Sequence, residues 1–200
     1  MHSFTARTPR HDLKVECLTA FVRSDEVGCD KAGFLELCKK GCRNYGSKYS
    51  CPPFSPDYNA LVKDHEYLFV VLFKIDLNQL TAYKDYHRLR VGNAVIKPRI
   101  ERLMRVLEGQ TGTKYLSTGA CRLCKPCRKR LGEPCRHPKE MRYSLESVGV
   151  DCNMLVKGLF GFPLLWYKDK KAPEYTAVVC ALPIKEKDEN LIRLAHSSLS

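Results

Sequence analysis

The sequence contains no apolar run close to the roughly 20 residues that a membrane-spanning helix needs. Its longest apolar stretch, Tyr67 to Phe73, has the length of a β-strand and is followed at once by Lys74. The first residues contain no continuous apolar segment followed by a small-residue cleavage site, so they do not resemble a secretory signal. These absences predict a cytoplasmic protein with no membrane partner.

Motifs of several large enzyme classes are also missing. The sequence has no glycine-rich dinucleotide loop, no Walker-type phosphate loop, no His-Glu-x-x-His zinc helix and no Gly-x-Ser-x-Gly nucleophile turn. Whether the chain is an enzyme therefore has to be argued from its cysteines.

Cysteine is the residue type that the sequence has in excess, with 11 in 200 residues. In a secreted chain the first interpretation would be disulfide bonds. Here the number is odd, no export signal is visible, and many of the cysteines cluster at short spacings. A reducing compartment keeps such thiols free to bind metal, so we favour metal binding over a disulfide framework.

The strongest pattern is formed by Cys121, Cys124, Cys127 and Cys135, which we call the second cysteine group. Two residues separate each of the first three, and seven residues separate Cys127 from Cys135, which directly follows Pro134. Bacterial ferredoxins use the same first spacings to direct three thiolates at a 4Fe-4S cluster. Structural zinc sites usually combine two separated Cys-x2-Cys pairs, so an iron–sulfur cluster is favoured and zinc is the alternative. Whether Cys135 completes this cluster is left open.

A weaker pattern is formed by Cys38, Cys42 and Cys51, which we call the first cysteine group. Two prolines follow Cys51, and Cys29 is the candidate fourth ligand of a second metal site. If only three thiolates bind, one iron stays open to substrate and can act as a Lewis acid, which would allow oxidoreductase or lyase-type activity. The alternative is that these cysteines are small buried residues. Two cysteines outside both groups are interpreted as core residues, Cys152 and Cys180.

The net charge of +12 suggests nucleic-acid binding as one function. Residues 121–142 alone hold eight Lys and Arg against two Glu. A cluster with four thiolate ligands is itself negatively charged, so this excess can balance the cluster or dock an acidic redox partner protein. Two alternatives to a redox protein acting on a small substrate therefore stay open: a zinc-stabilised nucleic-acid-binding module, and an accessory protein that delivers electrons or metal to a larger enzyme.

The sequence predicts an α+β fold with a mixed sheet of about four strands, helices on one face, and the cysteine loops at one end. Strands are predicted over 66–75 and, as a hairpin, over 163–167 and 175–182. Residues 80–107 are predicted to be largely helical, because apolar residues recur on one face, with a kink or a new helix at Pro98. Asp151 is expected to cap a further helix.

Two units are predicted along the chain. Residues 1–60 would form an N-terminal arm, loosely held over residues 1–16, together with the first cysteine group. Residues 61–200 would form the α+β domain with the second cysteine group, and the two units would join as one if the chain is compact.

Four segments occur in a specific order: Cys38-Lys-Lys-Gly-Cys42-Arg-Asn-Tyr-Gly leading to Cys51-Pro-Pro, Gly119-Ala-Cys121-x2-Cys124-x2-Cys127, Cys135-Arg-His-Pro138, and Ser144-x-Glu146-x-x-Gly149-Val-Asp151. Over residues 29–182 this order resembles the prokaryotic family described as predicted metal-binding protein, a cysteine-rich domain of unknown function found largely in anaerobic bacteria and archaea. The resemblance implies metal binding, with the seven cysteines of the two groups as the ligand set. It implies no reaction.

Overall fold

The computed structural model describes residues 2–199 and shows an α+β protein. The strands are β1 (His2–Arg7), β2 (Asp12–Arg23), β3 (Tyr67–Asp76) and β4 (Tyr175–Ile184), and the helices are α1 (Lys31–Gly41), α2 (Tyr58–Val62), α3 (Asp85–Thr111), α4 (Cys152–Phe160) and α5 (Glu189–Ser197). The four strands form one sheet in the order β1-β2-β3-β4. The predicted α+β class and the number of strands are confirmed.

The sheet is antiparallel at every pairing, and not mixed as the sequence analysis predicted. Antiparallel neighbours need only short connections, whereas a parallel pair needs a crossover. A single turn joins β1 to β2, which leaves no room for a crossover between them. Because β2 pairs with β3, the sheet extends across the predicted boundary between residues 60 and 61.

β3 is buried on both faces and separates two hydrophobic cores. Phe69, Val71 and Phe73 face one core, and the alternating Leu68 and Val70 face the other. Side chains of a strand alternate between the faces of its sheet, so a strand buried on both sides must be apolar throughout. This explains why the continuous apolar run predicted the strand correctly.

α3 covers one core with the predicted apolar stripe. Its buried residues include Ile96, Ile100 and Leu107. The helix continues through Pro98, so the predicted start of a second helix there is wrong. Proline removes the hydrogen bond to the carbonyl four residues earlier. Ala94 and Pro98 are both exposed, so water can reach that carbonyl while the opposite face packs on the sheet.

The second core lies on the other face of the sheet, beneath α2 and α4. Helices therefore cover both faces, and the prediction of helices on one face is wrong. The Asp151 carboxylate accepts hydrogen bonds from the N–H groups of Asn153 and Met154, both at 2.9 Å, which confirms the predicted cap of α4.

Two further local predictions are wrong. The described residues 2–16 are not a loose arm, because β1 and the first part of β2 lie within them. Residue 1 of the predicted arm lies outside the described residues. Leu13, Val15 and Cys17 alternate with polar residues and point into the core. Residues 163–167 form no strand, and β4 pairs with β3 alone among the named strands. No helix within residues 2–199 is both long and apolar enough to cross a membrane.

Candidate metal centres

The four cysteines of the second group surround one small cavity. Cys121, Cys124, Cys127 and Cys135 all line it, and each is partly buried. The loop that carries them includes a short 3-10 turn at Arg128–Leu131. The structure thus brings together all four residues that the sequence spacing grouped, Cys135 among them.

The pKa of the Cys121 thiol depends on its burial and on nearby charged groups. Burial raises the pKa of the Cys121 thiol, and the nearby thiols of Cys127 and Cys135 raise it further. Lys48 acts in the opposite direction, because its positive charge favours the thiolate. Its ammonium group donates a 2.6 Å hydrogen bond to the Cys121 carbonyl.

The first cysteine group lies at the end of α1 and in the loop after it. Cys38 and Cys42 are one helical turn apart, with the Cys42 N–H donating to the Cys38 carbonyl at 3.1 Å. Burial raises the pKa of the Cys38 thiol, and Cys42 raises it further. Burial likewise raises the pKa of Cys51, with smaller contributions from Cys42 and Cys38. The three thiols are therefore close enough to act on each other.

Cys29 lies just before α1, in an isolated β-bridge to Val150. It is exposed, and the amide nitrogen of Asn59 is 4.0 Å from its sulfur. Its role as a fourth ligand of the first group stays a prediction.

A four-residue segment, Lys48 to Cys51, joins the two groups. Ser50 is 1% exposed, its hydroxyl lies 3.8 Å from the Cys51 sulfur, and it accepts a 3.1 Å hydrogen bond from the Cys121 N–H. The Lys48 charge lowers the pKa values of both Cys51 and Cys121. One buried hydroxyl and one ammonium group therefore serve both sets of thiols.

Sequence reasoning missed Lys48 and Ser50. Both lie within the cysteine-rich stretch, but one lysine or serine among many gives no signal of a distant partner. Ser50 and Cys121 are 71 positions apart, so their contact depends on how the loops pack.

Three of the four cysteines outside the two groups are core residues, and Cys29 is the exception. Burial raises the pKa of Cys17 to about 12, and it raises the pKa values of Cys152 and Cys180 well above the usual range for a thiol. All three are buried in the two cores, as predicted for Cys152 and Cys180.

Within residues 2–199 no group of three or more His, Cys, Asp or Glu is arranged to hold a metal ion.

A family model described as predicted metal-binding protein (DUF2284) matches residues 22–181. The chain belongs to this family. The matched range includes both cysteine groups and Cys29, and it confirms the family expected from the sequence. The family description supports metal binding and names neither a metal nor a reaction. No curated protein and no solved structure matches the chain.

Proposed function

We propose that this family member binds iron–sulfur clusters through its two cysteine groups and works in redox chemistry. The observation that carries the proposal is the arrangement of Cys121, Cys124, Cys127 and Cys135 around one cavity. The donors are all thiols, the ligand type of cubane clusters. A bound cluster would supply one-electron redox chemistry, or Lewis-acid chemistry where an iron is open.

The residues around the cavity suit a negatively charged group. Lys48 approaches Cys121, and Lys129 places its ammonium group 4.3 Å from the centre of the Phe54 ring, a cation–π contact at the edge of the same region. The Tyr49 hydroxyl donates a 2.7 Å hydrogen bond to the Glu133 carbonyl, which ties the two loops together. Lys48 and Lys129 thus bring positive charge to the segments next to the second group.

The first group supports a different role. Cys38, Cys42 and Cys51 provide three thiols, and Cys29 lies beside Asn59. Three protein ligands would leave one iron available to a small substrate. The second group would then be a closed site for electron transfer, in contact with the first through Ser50. The basic loop that surrounds the second group would dock an acidic redox partner protein.

Anaerobic purification followed by iron, sulfide and zinc analysis tests the proposal. We expect brown protein with about eight iron atoms per chain, since each of two cubanes holds four, and with visible absorption that bleaches on reduction. Cys124→Ser and Cys42→Ser should each lose about half of the iron. Cys180→Ala is the matched control, because Cys180 lies in the core, and it should keep the full content.

Colourless protein with stoichiometric zinc would overturn the proposal. Binding to nucleic acid that weakens steeply with added salt would then favour the zinc-stabilised module. If Cys42→Ser leaves the iron content unchanged while Cys124→Ser removes all of it, only the second group holds a cluster.

A further inference from the structure

A cavity of about 460 Å³ lies next to α1, α3, α4 and β4, with Phe34, Lys97, Glu146 and Trp166 on its walls. A second cavity of about 410 Å³ is also lined by Lys97 and extends to Cys121. Both volumes fall within the range of roughly 300–1,000 Å³ that small-molecule sites occupy. Lys97 therefore lies where two cavities of ligand size meet, one beside the helix of the first cysteine group and one beside the second.

The Lys97 ammonium group lacks a protein partner in the part of the chain that the structure describes. Among residues 2–199 we find no hydrogen bond and no ion pair to it, although the side chain is partly buried. Burial lowers the pKa of Lys97, and the nearby Arg122 lowers it further. Arg122 lines the second cavity and not the larger one, where Lys97 is the cationic residue of the described lining. A partly buried ammonium group without a protein partner favours an anionic ligand.

Two carboxylates lie near Lys97 and act on it from a distance. Glu101 and Glu146 both raise the pKa of Lys97, but less than burial lowers it. Glu101 is already bound, because the hydroxyl groups of Tyr115 and Ser117 both donate to it. Glu146 and Asp151 line the larger cavity, and the Asp151 carboxylate caps α4. Within residues 2–199 no carboxylate forms an ion pair with Lys97, so the three donors of its ammonium group stay available to a ligand.

Part of the lining of the larger cavity is aromatic, with Phe34, Trp166 and Tyr167. Trp166 is 65% exposed, which is unusual for the largest apolar side chain. Its segment is nevertheless fixed: the Leu164 N–H donates to the Asn153 side chain at 2.8 Å, and the Tyr175 hydroxyl donates to the Pro163 carbonyl at 2.5 Å. Apolar and aromatic side chains together with a few polar groups, here Lys97 among them, are the usual composition of a small-molecule site.

We propose that this cavity binds a small carboxylate with an aromatic or apolar body, the carboxylate on Lys97 and the body against Trp166. The proposal uses no property of a bound metal and goes beyond the redox role. It adds a ligand class and places the ligand next to α1, the helix that carries Cys38.

Calorimetry with phenylacetate as probe and phenylacetamide as its uncharged match tests the proposal on the anaerobically purified protein. Phenylacetate should bind at low salt, and the amide should bind at least about tenfold more weakly, because it lacks the charge-assisted hydrogen bond. The sequence contains one tryptophan, so the single indole N–H resonance in an NMR spectrum reports directly on Trp166 and should shift with the probe.

Variants locate the interaction. Lys97→Met should weaken phenylacetate binding at least about tenfold and leave amide binding unchanged, whereas Lys97→Arg keeps the charge and should retain most of the affinity. Lys63→Met, at an exposed position after α2, is the matched control and should bind like the parent protein. The iron content of each variant shows whether a loss of binding comes from damage to a metal site instead.

Any one of the following outcomes would overturn the proposal. They are equal affinities for the acid and the amide, unchanged binding by Lys97→Met, and binding of the acid that leaves the Trp166 indole resonance in place. Absence of any binding at millimolar probe would do so as well. None of these results depends on whether the cysteines hold iron or zinc.

Discussion

Replacing Gly149 by alanine tests how the first cysteine group is held against the rest of the fold. Gly149 has φ 102°, and its carbonyl accepts a 2.7 Å hydrogen bond from the Asp30 N–H. A Cβ atom at this position would lie 2.8 Å from the Cα of Lys31 and 2.9 Å from its backbone nitrogen. Backbone atoms cannot rotate away as a side chain can, so the start of α1 would have to move.

Two costs add up in this variant. A positive φ costs an alanine about 1–2 kcal/mol. Forcing an extra carbon into a packed contact costs about 1–3 kcal/mol more. We therefore expect Gly149→Ala to lower the free energy of unfolding by about 2–5 kcal/mol.

Gly112→Ala is the matched control, because it separates the two costs. Gly112 also has a positive φ, 72°, but no atom lies within 4 Å of the Cβ position. Gly112→Ala should therefore lower the free energy of unfolding only by the cost of the positive φ, about 1–2 kcal/mol. Urea denaturation measures both variants. Metal analysis shows whether the shift of α1 also removes metal from the site proposed at the first group.

The reasoning fails if Gly149→Ala loses no more stability than Gly112→Ala. Equal losses would mean that α1 moves away from Gly149 at no cost. The segment that carries Cys38 and Cys42 would then not be fixed by this contact.

Two other variants test the fold. Gly158→Ala, on the exposed side of α4 with nothing within 4 Å of the added carbon, should stabilise the protein by about 0.5–1 kcal/mol in urea denaturation, and a loss of stability would contradict the open space there. The second concerns Glu108: burial tends to raise its pKa, but hydrogen bonds from Arg142 and from the Tyr115 N–H outweigh this and lower the pKa. A carboxyl group with a lowered folded-state pKa stabilises the fold above its unfolded pKa of about 4.3, and this contribution is lost as the pH falls through the folded value. Arg142→Met should therefore weaken the protein at neutral pH and flatten its loss of stability in acid; an unchanged acid profile would show that the pair does not contribute.

The sequence predicts β3 and β4 well, whereas it misses β1 and β2. The strand predicted over 66–75 is observed as Tyr67–Asp76, and that predicted over 175–182 is observed as Tyr175–Ile184, because strands buried on both faces are apolar throughout. β2 is half buried, and its alternation over Leu13, Val15 and Cys17 is a weaker signal. Residues 163–167 are as apolar as a strand, but residues 164–167 line a cavity. Hydrophobic periodicity cannot distinguish an apolar cavity wall from a strand.

In the candidate site, too, the sequence predicts some features and misses others. Short spacing predicts that Cys121, Cys124 and Cys127 converge, because a few residues of loop leave little other freedom. The approach of Ser50 to Cys121 and the position of Lys97 between two cavities follow from packing between distant segments. Local sequence holds no signal for either contact.

The two hydrophobic cores have a consequence for the order of assembly in the cell. Neither core, as described within residues 2–199, includes a cysteine of the first or second group. Small zinc modules fold only when the metal binds. Here the sheet and its helices bury their apolar residues without any cysteine of the two groups, so we expect the chain to fold before it acquires metal. If the first group binds metal as proposed, Cys42, which is exposed at the end of α1, would present its thiol to a metal donor from the surface of an already folded protein.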